Sequence, residues 1–134
     1  MIFVTVFALC GIAYFGLQSC SETDYNQGKA LYQKKCANCH IEDGTGLKGL
    51  IPPLAKSDYL MTHKNDLACI IKNGLETPIM VNEVVYNQQV MPANAKISAA
   101  DISNIINYIL SEWGNQGGVI TLAEVNAQLE ACRK

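Results

Sequence analysis

No run of basic residues occurs in this sequence. Ten Lys and Arg against twelve Asp and Glu leave a net charge of −2, so nucleic-acid binding has no electrostatic basis. Internal repeats and low-complexity stretches are absent, and nothing in the composition points to disorder. Histidine is scarce, with two residues, His40 and His63. The alternation of strand-like and helix-like segments that marks a parallel α/β domain is missing. Charge is missing altogether from Ile2 to Leu17, an almost purely apolar stretch upstream of every charged residue. What remains is 134 residues with 49% hydrophobic content, enough for one domain with a buried core.

The apolar stretch is short for a membrane-spanning helix and suits the apolar region of a signal peptide. It ends in Leu17-Gln18-Ser19-Cys20, which resembles the lipobox of bacterial lipoproteins. That resemblance implies cleavage before Cys20 and a diacylglycerol on its thiol. A plain signal peptide and an uncleaved anchoring helix are the alternatives. Each sends the domain out of the cytoplasm, where disulfides persist.

A polar tether is expected over residues 20–26, followed by a helix from Lys29 to Cys36. The Gly- and Pro-rich stretch from Asp43 to Pro53 must be a loop. Asn65 to Asn73 predicts a helix with Leu67, Ile70 and Ile71 on one face and Gly74 as its stop. Pro78 to Val90 fits a small hairpin or an extended loop around Asn82-Glu83. Ser98-Ala99-Ala100-Asp101 opens a long helix carrying Ile102, Ile105, Ile106 and Ile109. Glycines 114, 117 and 118 break it, and Thr121-Leu122-Ala123-Glu124 caps a last helix with the stripe Leu122, Val125, Leu129 and Cys132.

Cys36-Ala37-Asn38-Cys39-His40 carries the chemistry. Two thiols three residues apart reach the two vinyl groups of one haem, and the adjacent imidazole comes up beneath the iron. A redox dithiol would want the α/β pattern that is missing, and a zinc site would want ligands beyond His63. Candidates for the sixth iron ligand are Met61, Met80, Met91 and His63. Met91 is favoured: it precedes Pro92 in a loop before the long helix, and a loop can fold over an open haem face. Met61 and Met80 read as core side chains, and His63 as solvated.

With these residues the sequence resembles a class I, monohaem cytochrome c of bacterial type over nearly all of Asp24 to Asn115. Gly28, Tyr32 and Cys36 fall at the family's first-helix intervals, and Tyr108 in Asn107-Tyr108-Ile109 matches the aromatic of the crossing helix. A Gly on a packed helix face removes the Cβ that holds two backbones apart. Pro52-Pro53-Leu54 matches the family's Pro-x-Leu segment. The resemblance implies that a carbonyl, of Pro52 or of Pro53, accepts the Nδ1 proton of His40, and that Leu54 packs on the ring. The run from Val81 to Pro92 and the ending Trp113-Gly114-Asn115 look like monohaem cytochromes serving terminal oxidases and reductases. The lysine ring of mitochondrial types is absent, and the tail from Gly117 to Lys134 lies outside the family core.

The expected fold is therefore all-α: three to five helices wrapped around one covalent haem c, with an extra C-terminal helix. The expected division is a lipoprotein-type signal peptide over 1–19, a tether over 20–26, the cytochrome domain over 27–115 and an extension over 116–134. Cys69 and Cys132 have no role in the family pattern. They are expected either to form a disulfide clamping the tail or to be buried thiols acting as small hydrophobes. The implied function is single-electron transfer and not enzymatic turnover, with Cys36 and Cys39 tying the haem and His40 and Met91 holding iron. Ile51, Val90 and Ala93 would flank the haem edge as a docking surface. Expected partners are redox proteins, a membrane oxidase or a quinol-oxidising complex, with no nucleic acid and no small-molecule substrate. Expected localisation is the periplasmic side of a bacterial membrane, by a lipid on Cys20, as a mobile shuttle or a fixed subunit. The rival is a haem enzyme or gas sensor with a labile distal ligand.

Overall fold

A computed structural model describes residues 21–76 and 78–132. The signal-like segment and Cys20 lie outside these described residues. Helix α1 (Ser21–Lys35) runs into a one-turn helix α2 (Ala37–His40), and a long loop leads to α3 (Asp58–Thr62). A 3-10 turn (Lys64–Asp66) precedes α4 (Leu67–Asn73), then strands β1 (Ile79–Val81) and β2 (Val84–Tyr86). The long α5 (Ala99–Ser111) and the tail helix α6 (Leu122–Ala131) complete the chain. The two strands form one antiparallel hairpin, a small addition to an otherwise helical fold.

Helices α1 and α5 cross at the centre of the molecule. A Cβ on Gly28 would collide with the backbone carbonyl of Asn104 and with Cβ of Tyr108, so only glycine permits this approach. Tyr32 and Tyr108 pack across the crossing with ring centroids 5.4 Å apart, and Trp113 closes on Tyr32 at 5.1 Å. On α5, Ile102, Ile105, Ile106 and Ile109 are all buried at helical spacing. Its N-terminus is capped by Ser98 Oγ, which accepts from Asp101 N at 3.1 Å.

Helix α1 starts earlier than the sequence suggests. Residues 21–26, read as a tether, belong to the helix. Their polarity hid a contact with α5, where Tyr25 packs tilted against Tyr108 with centroids 5.5 Å apart; the next residue, Gln27, accepts from Asn104 Nδ2 at 3.1 Å. Residues 24–27 are exposed, so this start of the helix carries little apolar periodicity.

Helix α6 has the expected capping box, Thr121 with Glu124. Val125 is fully buried on it, but Leu122 is 47% exposed and leaves the stripe, because the first turn projects past the core. The tail is bound to α5 by Asn107, whose Oδ1 accepts from Ile120 N at 2.8 Å and whose Nδ2 donates to Ile120 O at 2.9 Å. Cys69 of α4 and Cys132 at the end of α6 are paired as a disulfide, with Cα atoms 6.0 Å apart.

Candidate haem site

An apolar cavity lies between α2 and its following loop on one side, and α4, the hairpin and the segment before α5 on the other. Cys36, Cys39, His40, Pro52, Leu54 and Met91 all line it, although they span half the chain.

The proximal side is built almost entirely from local backbone. Cys39 N and His40 N both donate to Cys36 O, at 3.1 and 2.9 Å, so α2 holds the two thiols and the imidazole in one turn. The chain then reverses at Ile41, whose φ of +62° is rare for a branched side chain. Two bonds hold that residue: Ile41 N donates to Ala37 O at 2.9 Å, and Tyr32 Oη donates to Ile41 O at 2.6 Å. Gly46, at φ +63°, donates to His40 O at 3.0 Å, and a Cβ there would strike the carbonyls of Ile51 and Pro52. The loop so folded places Pro52 O 3.1 Å from His40 Nδ1. Pro52, and not Pro53, stands at this position.

That acceptor selects the tautomer with its proton on Nδ1 and leaves the Nε2 lone pair for a metal. Burial pushes the His40 pKa below its ordinary value, and the Pro52 carbonyl only partly opposes this. The imidazole is therefore neutral, as a ligand must be. Burial also pushes the Cys36 thiol up to about 11, against the partial relief of Lys35, so it stays protonated at neutral pH. Cys36 is half-buried and Cys39 exposed, both unpaired.

The distal side is assembled from distant segments. Gly74 ends α4 at φ +78° with no room for a Cβ against the Met91–Ala93 backbone. Leu75 and Met91 then pair as a single antiparallel bridge, Leu75 N to Met91 O at 3.0 Å and Met91 N to Leu75 O at 3.1 Å. The hairpin turns Val81 and Tyr86 inward, and its tip is fixed by Asn82 and Asp58, which exchange bonds of 3.1 and 2.7 Å. Met80 is paired with Val85 on the outer face and is 62% exposed. It is not the core side chain expected, because strand alternation turns it away from its inward neighbours. His63 is half-buried, not free in solvent; its ring stacks on Tyr59 at 3.8 Å. Met61 packs against the core as expected, outside the cavity lining. Of the rim residues, Ile51 is buried in the wall, Val90 is exposed at the rim and Ala93 is exposed away from the lining.

The sequence names Asn115 in its family-like ending but does not disclose its role. Asn115, buried, accepts from Lys56 N at 2.8 Å and donates to Leu54 O at 3.0 Å and Ile109 O at 2.7 Å. It ties the end of the proximal loop to α5. The ending Trp113-Gly114-Asn115 marks its place in the family pattern, but no spacing in the sequence points to these three partners.

Two unpaired thiols in one turn, a neutral imidazole with Nε2 free, an apolar lining and a thioether on the same cavity fit a covalently held haem. The site and the helical frame define a haem-binding electron-transfer domain. The family profile for cytochrome c matches residues 25–113. Over 92 residues the chain is 32% identical to cytochrome c-552 of Thermus thermophilus, covering 66% of this chain and 69% of that protein. It is 34% identical over 101 residues to the cytochrome c subunit of a quinone alcohol dehydrogenase from Gluconacetobacter polyoxogenes, covering 73% of this chain. It is 31% identical over 107 residues to the fructose dehydrogenase cytochrome subunit of Gluconobacter japonicus, covering 74% of this chain. The chain spans only 21% of the length of each of these dehydrogenase subunits. The chain belongs to the cytochrome c family, class I. Membership of the family implies covalently bound haem c and an electron-transfer domain. No helix among the described residues is long and apolar enough to cross a membrane.

Proposed function

We propose that this protein is a single-electron carrier of a respiratory chain in which His40 and Met91 would hold the iron of one haem. The observation that carries this reading is that His40 and Met91 line one apolar cavity, each with its backbone fixed by hydrogen bonds. The haem supplies a metal that cycles between two oxidation states one electron apart. The protein's residues do the rest. Cys36 and Cys39 anchor the group, and Pro52 O keeps the His40 ring from turning. Leu54, Ile105 and Ile109 exclude water from the cavity. The Leu75 bridge holds Met91 at one depth whatever the charge on the site. Fixed ligands leave little to rearrange when an electron arrives. An imidazole–thioether pair also raises the reduction potential.

The same proposal places the domain on the periplasmic side of a bacterial membrane, with a lipid on Cys20. Confinement to a surface raises its effective concentration toward a membrane oxidase or a quinol-oxidising complex. The dehydrogenase subunits among its relatives favour a second form of this reading, a haem subunit fixed in a larger complex. Co-purification with a larger redox enzyme separates fixed subunit from mobile shuttle.

The optical spectrum tests the ligand assignment. The oxidised holoprotein is expected to show the weak far-red band of thioether–iron ligation, lost in Met91→Ala and kept in Met80→Ala. A high-spin spectrum with rapid binding of carbon monoxide in the wild type would instead favour the enzyme or sensor.

A further inference from the structure

We propose that the C-terminal helix α6 is a brace for the loop that carries Met91, and that Gln128 and the Cys69–Cys132 pair are positioning residues for the distal ligand. This rests on the assignment of Met91 as that ligand. The tail lies beyond the region matched by the cytochrome c family, residues 25–113, so that match assigns it no role.

Helix α4 is seven residues long and its N-cap residue, Asp66, makes no side-chain cap bond. Such a helix does not hold itself together, since isolated helices shorter than about 12 residues are marginal in water. The missing cap comes from α6. Gln128 Oε1 accepts from Ala68 N at 2.9 Å, satisfying one of the orphan donors of the first turn. Its Nε2 donates to Lys64 O at 3.1 Å, which ties down the preceding 3-10 turn as well. One residue later on α4, Cys69 is joined to Cys132. Val125, fully buried in the core cluster, seats α6 on the domain.

The other end of α4 holds the distal loop. Besides the two Leu75–Met91 bonds, Asn94 N donates to Lys72 O at 3.0 Å and Lys72 Nζ donates to Ile97 O at 2.8 Å. Four hydrogen bonds thus tie the backbone of residues 91–97 to α4 and to Leu75, two residues past its end. The load path runs from α6 through Gln128 and the disulfide to α4, and from α4 to Met91. No element of the proximal side lies on that path. Releasing α6 frees α4 at its start, and the Met91 segment loses its edge partner.

The test uses the holoprotein in two forms, Gln128→Ala and the double variant Cys69→Ala with Cys132→Ala. The first readout is amide hydrogen exchange. Exchange at Leu75 and Met91 is expected to rise about tenfold or more in both variants, with Ile109 on α5 unchanged, as local opening of one unit requires. The second readout is carbon monoxide binding to the reduced protein, expected to speed up in the same order as the exchange. Gln128→Glu, which keeps the acceptor for Ala68, is expected to recover part of the protection. If exchange rises uniformly over the whole molecule, or stays unchanged at Met91 while the melting temperature falls, α6 is a general stabiliser and the brace is wrong. Should the double variant fail to incorporate haem, Gln128→Ala alone decides, because it deletes one half-buried side chain and leaves the disulfide. Rapid carbon monoxide binding in the wild type with unchanged exchange differences would overturn the Met91 assignment and not the mechanical link.

Discussion

The two walls of the haem cavity are made in opposite ways. The proximal wall is continuous in sequence: from Cys36 to Ala55 most fixing bonds are backbone to backbone, and the ends are only a loop apart. The distal wall joins Leu75, a hairpin and Met91, and is held from outside by α4 and the tail. A contiguous wall can place a ligand by its local conformation alone. An assembled wall depends on tertiary contacts, and opens locally when any of them is lost.

The largest effect that would sharpen this contrast is at Gly46. Gly46→Val forces a branched side chain into φ +63° and against two carbonyls of the same loop. Strain and overpacking together are expected to cost about 3–5 kcal/mol. The loop reopens and Pro52 O leaves His40, so the yield of protein with covalent haem, read from the Soret band per chain, is expected to collapse. Normal yield would show that local backbone does not set the proximal wall. Next comes Asn115→Ala, which takes the partner from one buried and two part-buried backbone groups and is expected to cost about 2–3 kcal/mol in a urea melt. The far-red thioether band should survive it, because Asn115 lies on the proximal side.

Gly74→Ala attacks the other wall. Its Cβ meets the Met91–Ala93 backbone at φ +78°, with an expected cost of about 1–3 kcal/mol. Here the order of the readouts reverses. Stability falls less than in Asn115→Ala, while the thioether band weakens and carbon monoxide binds faster. If both variants perturbed both walls equally, the cavity would be one mechanical unit and the comparison would fail.

The contrast also explains what the sequence disclosed. The Cys36–His40 turn, the Gly28–Tyr108 crossing and the Thr121 capping box were legible because each is a short-range pattern or a single close approach with one physical cause. The hairpin was legible only as an alternative to a loop: Asn82 and Glu83 both take positive φ, a tight-turn signal that the flanking β-branched residues share with many loops. The outward face of Met80 follows from strand register, which that ambiguity left open. Gln128 and Leu75 were not legible at all, and Asn115 only as part of a family-like ending, without its partners. Each acts through a hydrogen bond to a residue remote in sequence, and no spacing rule marks such a partner. The start of α1 was misplaced for a related reason, since Tyr25 and Gln27 find their partners on α5.

The smallest expected effect is at that misread helix start, and it tests whether α1 belongs to the packed frame. Tyr25 Oη donates to Glu112 Oε1 at 2.7 Å. That bond is the main reason its pKa is pushed up from 10.0 to about 12, with burial and the Glu112 charge adding to it. A pKa higher in the folded chain means that the native state keeps a proton the unfolded chain has already released. The contribution is therefore fully present below about pH 10 and fades as pH climbs through about 12. Tyr25→Phe is expected to cost under about 1 kcal/mol near neutrality, because the pair is exposed. Its urea midpoint should fall less steeply than that of the wild type between about pH 9 and pH 12. Burial also raises the Tyr32 and Tyr108 values, but these groups are common to both proteins, so the difference in slope belongs to Tyr25. Parallel midpoints across that range would mean that residues 21–26 hang free in solution, as a tether does.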